Sequence, residues 1–195
     1  MLTPVSPDFD VHAFTRRRAF ASSGRVLSAT AVALLGGREV LAAGAAPTAE
    51  QLQTDLRILN TALGAELEAI AAYQLGADSG LLTADVRTLA LGFQSHHKEH
   101  ADAIAATVRK LGGNAVTAKA RYPFPTDKLK TQADVLQFAA GLERGAVSAY
   151  LGAVPLFTDR ALAQVAASIL GDEAMHWAVL RQALGQVAVP SAFLS

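Results

Sequence analysis

Apolar residues recur at intervals of three and four along four segments of this chain. Between Glu50 and Gly76 they are Leu52, Leu56, Leu59, Leu63, Leu67 and Ile70, the stripe of an amphipathic helix. The run GADSG (76–80) is expected to break it, because glycine and small polar residues favour turns. A second helical pattern spans Thr83 to Leu111 and stops at LGG, a glycine C-terminal signal. Residues 113–130, with Pro123, Pro125 and several Lys and Arg, read as a long loop. A third helix is predicted from Thr131 to near Ala153, where Pro155 ends or kinks it. Thr158 and Asp159 are placed to cap a fourth, which lasts to about Leu184 or Val187 before the tail VPSAFLS. The pattern predicts an all-α fold: two helical hairpins with short links, joined by a crossover of roughly eighteen residues.

Polar residues interrupt these stripes in a repeated way. AELEAIAAY on the first helix holds Glu66 and, seven residues later, Tyr73; LERGAVSAY on the third holds Glu143 and Tyr150 at the same spacing. Seven residues is about two turns, so each Glu shares a face with its Tyr. The second helix carries His97 and His100, and the fourth, in GDEAMHW, carries Glu173 and His176. Residues three apart point the same way on a helix. Glu66 precedes His100 by 34 positions and Glu143 precedes His176 by 33. A single Glu-x-x-His on a helix is an ordinary surface pair more often than a ligand set. Its recurrence in register in two hairpins points to a shared site.

Ile169, Leu170 and Leu180 run along the same side as Glu173 and His176, so that side faces the core. A buried carboxylate needs a partner, either a metal ion or a neighbouring cation. Carboxylates and imidazoles around a buried centre suit one or two divalent ions, and iron and manganese fit this donor set. The ionic charge would offset that of the carboxylates. Tyr73 and Tyr150 would then donate hydrogen bonds to the carboxylates that hold the metal.

The pattern resembles the ferritin-like, di-metal carboxylate superfamily, which includes ferritins, bacterioferritins, rubrerythrins and manganese catalases. The resemblance covers about residues 50–186, and LERGAVSAY and DEAMHW are its most specific pieces. It implies a ferritin-like four-helix bundle with the long crossover between helices 2 and 3. In that signature two helices each give a Glu and the other two each give Glu-x-x-His, and Glu66, Glu143, Glu173 and His176 match it directly. The second helix departs from it. His97 stands where the resemblance implies a bridging Glu, inside SHHKEH; Glu99 lies about 200° around the helix from that place, and His96 about 100°. Three Glu and two His then remain of the family set. One ion, two loosely held ions, a different metal and a vestigial metal-free site are all open on this reading.

Composition narrows the function classes. The chain of 195 residues is 51% hydrophobic and 17% charged, with a formal net charge of zero, so nothing favours nucleic acid as a partner. It has no cysteine, which excludes disulfides, thiolate zinc sites, iron–sulfur clusters and a rubredoxin-like electron donor. TRRRAF (15–20), the apolar VLSATAVALLGG (26–37) and the small-residue AAGAAPTAE (42–50) form an export-signal pattern. Arg17-Arg18 followed by Ala19-Phe20 resembles the twin-arginine type. The apolar stretch is too short for a membrane span. Residues 1–45 are therefore expected to be a cleaved leader, with residues 46–195 as the bundle, exported to the periplasm and carrying a net charge of −2. A twin-arginine-type leader before such a bundle looks like exported bacterial ferritin-like domain proteins. The family likeness implies iron oxidation or peroxide handling, with dioxygen or peroxide as reactant. The alternative is a non-catalytic bundle in a stress or envelope role. A homo-oligomer is compatible with either, and iron storage would require a closed shell of subunits.

Overall fold

A computed structural model describes residues 47–194; the expected leader, residues 1–45, lies outside them. The described residues form four long helices and no strand: α1 (Ala49–Asp78), α2 (Ala84–Lys110), α3 (Gln132–Ala153) and α4 (Arg160–Ala183). Two three-residue 3-10 turns lie between them, Thr126–Lys128 in the crossover and Val154–Leu156 before α4. None of these helices is long and apolar enough to cross a membrane.

Local chemistry sets the helix ends. Thr48 and Gln51 form a reciprocal capping box at the start of α1, as do Thr131 and Asp134 at α3. Asp159 caps α4 through the Ala161 amide. Gly112, at φ 79°, closes α2 by donating to the Arg109 carbonyl, while the Gly113 amide reaches the Val108 carbonyl; a side chain at Gly112 would resist that left-handed turn. GADSG departs from expectation, because Gly76 and Ala77 remain helical and the break comes at Ser79. Gly76 serves packing instead: a Cβ there would stand 3.1 Å from Val135 Cγ1 of α3.

The hairpins α1–α2 and α3–α4 each pack along their length, and α1 also touches α3. The crossover is pinned from α1 by Asn60, which donates to the Asn114 carbonyl and accepts from the Val116 amide. Asp55 of α1 is buried and accepts the amides of Thr158 (2.9 Å) and Asp159 (3.2 Å), tying α1 to the start of α4.

The core is divided. One apolar cluster contains Leu56, Leu59 and Leu63 of α1, Ile104 and Val108 of α2, and Val165 and Ile169 of α4. A second, towards the other end, contains Tyr73, Phe93, Leu136 and Leu180. Every helix places a buried Glu or His between these two layers: Glu66 on α1, His97 on α2, Glu143 on α3, Glu173 and His176 on α4.

Candidate metal centre

Helical periodicity brings the polar layer together. The stripe that buries Leu59 and Leu63 also buries Glu66 one turn later, and the i, i+3 spacing aims His97 with His100 and Glu173 with His176 into the same space. Glu66, His97, Glu143, Glu173 and His176 are all buried, and Glu173 is 0% exposed.

Two overlapping donor sets result. The first is Glu66, His97, His100 and Glu173; the second is His97, Glu143, Glu173 and His176; in each, the donor atoms lie within 4.8 Å of one another. His97 belongs to both. Its Nδ1 is 2.8 Å from Glu66 Oε2 and its Nε2 is 3.3 Å from Glu143 Oε1. Glu173 is shared as well, with Oε1 3.2 Å from His100 Nδ1 and Oε2 3.6 Å from His176 Nδ1. The halves correspond: Glu66 and His100 come from one hairpin, Glu143 and His176 from the other, and His97 and Glu173 stand between them.

The tyrosines cross over. Tyr150 donates to Glu66 Oε1 at 2.6 Å, and Tyr73 donates to Glu143 Oε1. Phe93 stacks on the His176 ring, with centroids 4.1 Å apart, and limits its rotation.

Burial and charge compete at every group. Burial pulls the His97 pKa down, but hydrogen bonds to Glu143 and Glu66 and the charge of Glu173 raise it to about 11. The same opposition, against Glu173 and Glu66, takes His100 to about 10, and against Glu143 and Glu173 it takes His176 to about 9. For Glu66 burial raises the pKa, and His100 and His97 overcome it, to about 2. Glu143 is likewise held well below the usual range by His176 and His97 despite its burial. Glu173 goes the other way, pushed up by burial and further by Glu143. Burial and the carboxylate charges keep Tyr73 and Tyr150 protonated.

Five buried donor atoms have no hydrogen-bond partner among the described residues: His100 Nδ1, Glu143 Oε2, both oxygens of Glu173, and His176 Nδ1. Buried polar atoms are nearly always paired, because an unpaired one costs about 1–3 kcal/mol. All five belong to the two donor sets. Carboxylate oxygens and imidazole nitrogens without thiolates are the donors of iron, manganese and zinc sites, so these residues fit a divalent ion.

Every residue singled out in the sequence, namely Glu66, Tyr73, His97, His100, Glu143, Tyr150, Glu173 and His176, reaches this layer. Glu99, the carboxylate nearest His97 in sequence, is exposed. Asp172 was not foreseen. Its Oδ2 is hydrogen-bonded to His96 Nδ1 at 3.0 Å and lies 3.3 Å from His176 Nε2 and 3.5 Å from His100 Nε2, so it faces the outward nitrogens of all three rings. Burial raises its pKa, but His96, His176 and His100 lower it overall. Its sequence signal is faint: Asp172 precedes Glu173 as His96 precedes His97.

Comparison with solved structures finds the same bundle. A conserved hypothetical protein from Mycobacterium tuberculosis matches with a TM-score of 0.64 at 22% identity, covering 73% of this chain and 99% of that one. A ferritin-like, diiron-carboxylate protein from Bacillus anthracis matches with a TM-score of 0.60 at 18% identity, covering 70% and 99%. A comparison with curated proteins finds no match. The sequence profile of the ferritin-like domain matches residues 54–186, which include all four helices' contributions to the polar layer, and the chain belongs to the ferritin-like domain family.

Proposed function

We propose that this chain is an exported ferritin-like metalloprotein whose core takes iron or manganese, one or two ions, for iron oxidation or peroxide handling in the periplasm. The observation that carries the metal reading is the set of five unpartnered buried donor atoms, two of them on the fully buried Glu173. Glu66 and His100 would hold an ion on one side, Glu143 and His176 on the other, with His97 and Glu173 shared. A redox metal there would supply an electron-transfer centre for dioxygen or peroxide. The chain's own residues keep carboxylates ionised in an apolar interior, orient the two outer imidazoles through Asp172, and keep Tyr73 and Tyr150 as hydrogen-bond donors. Export rests on the twin-arginine-type leader pattern in residues 1–45.

A second reading, a non-catalytic bundle with a vestigial site, is favoured by His97. As an imidazolium it donates to Glu66 and Glu143 at once, and three imidazoles face three carboxylates, so the layer can balance its charge with protons alone. Elemental analysis of protein purified from its native compartment separates the two. The metal reading requires iron or manganese at stoichiometric level, reduced in Glu143→Gln and Glu173→Gln. Negligible metal in the wild-type protein would leave the vestigial reading. Lysine at Arg17 and Arg18 should block export, and unchanged export would remove the twin-arginine assignment.

A further inference from the structure

The buried donor sets do not account for His96, whose side chain is 38% exposed, or for the outward nitrogen of His176. We propose that His96 Nδ1, Asp172 Oδ2 and His176 Nε2 form a third, mononuclear site for a divalent first-row cation, at the solvent-facing edge of the polar layer. It goes beyond the function proposed above, because it uses different donor atoms and stands even where the buried sets take no ion.

The spacing carries the argument. The three atoms are 2.9, 3.0 and 3.3 Å apart. An ion with bonds of about 2.1 Å sets neighbouring donors about 3.0 Å apart in octahedral geometry and about 3.4 Å apart in tetrahedral geometry. Two edges of the observed triangle, 3.0 and 3.3 Å, fall in that range and the third, 2.9 Å, lies just below it, before any side chain moves. Two imidazoles and one carboxylate on one face leave the remaining positions of such an ion open, and here they open towards solvent, since Asp172 is also 22% exposed.

The arrangement follows from the fold's register. His96 and Asp172 each stand one residue before a shared inner residue, His97 and Glu173, so both are turned to the same side of the layer. His176 faces both regions, with Nδ1 3.5 Å from Glu143 Oε1 and Nε2 towards His96 and Asp172. A cation captured outside is therefore one imidazole ring from the buried donors, and with ions on both sides His176 gives up its ring proton to solvent and bridges them as an imidazolate.

Cobalt(II) titration of the metal-stripped full-length protein tests the site, followed by its visible absorption and by equilibrium dialysis. His96→Ala, at a half-exposed position, keeps the bundle and should bind about one ion per chain fewer than wild type. The double variant Glu66→Gln/Glu143→Gln should retain one ion whose absorption disappears when His96→Ala is added. Unchanged stoichiometry and affinity in His96→Ala would overturn the site and leave the three side chains as a hydrogen-bonded cluster. A double variant that keeps every cobalt ion would instead refute the buried metal sets while leaving the outer site standing.

Discussion

Tyr150 of the second hairpin donates to Glu66 of the first, and Tyr73 of the first donates to Glu143 of the second. Each tyrosine thus serves the opposite hairpin's carboxylate. Tyr150→Phe and Tyr73→Phe keep the ring and remove the donor. Each should cost about 1–3 kcal/mol by chemical denaturation and lower metal affinity about 10–100-fold. A phenylalanine variant as stable as wild type and equally loaded would show that the crossed bonds contribute to neither.

His97 decides what the layer is for. If it is a ligand, His97→Ala should lower metal content. His97→Glu replaces a cation donor with a fourth buried carboxylate, so the metal-free protein should lose stability, by about 3–5 kcal/mol for an uncompensated buried charge. Metal should restore it, widening the gap in melting temperature between loaded and stripped protein. A vestigial site predicts little metal in all three proteins and a His97→Ala variant less stable than wild type, because Glu66 and Glu143 lose their buried cationic partner.

The site's contribution to the stability of metal-free protein should be greatest between pH 4.5 and 6.5. His97, His100 and His176 rise from 6.5 to about 11, 10 and 9 on folding. Their contribution is complete below 6.5 and is lost as pH climbs through those folded values. Glu66 falls from 4.5 to about 2, so its contribution is present above 4.5 and disappears as pH drops through 2. Metal binding runs opposite to the histidines, since an ion must displace their protons, and affinity should increase with pH. Melting curves of stripped protein across this range, beside metal titrations, check both signs.

Asp55 is a test away from the site. Its carboxylate accepts two backbone amides at the start of α4, and Asp55→Ala would leave both without that acceptor. We expect a loss of about 1–3 kcal/mol with metal stoichiometry of the folded protein unchanged. Reduced stoichiometry would mean that the entry of α4 also sets the position of Glu173 and His176.

The bundle was legible because its signals are local. Helix stripes, caps and glycine stops place four helices with the long crossover, and the i, i+3 and i, i+7 spacings bring Glu66, Glu143, Glu173 and the histidines onto inward faces. Asp172 escaped, and His96 was placed only to the side of the site, because each lies one residue from an inner donor, about 100° around its helix. Only the packing of α2 against α4 brings those offset side chains face to face. Asp55 escaped for another reason: its partners are backbone amides more than a hundred residues away, and no side-chain pattern announces them. Gly76 read as a stop because sequence alone does not show Val135 beside it.

The crossed tyrosines also bear on the loop between α2 and α3. Neither hairpin contains the acceptor for its own tyrosine or both partners of its own carboxylate, so the polar layer is an assembly of two pieces joined through the crossover. The connection makes docking of the two hairpins an intramolecular event, with an effective concentration set by its length and stiffness. Proteolysis within residues 113–130 would convert an intramolecular equilibrium into a bimolecular one. The nicked protein's melting temperature would then depend on its concentration, as a heterodimer's does.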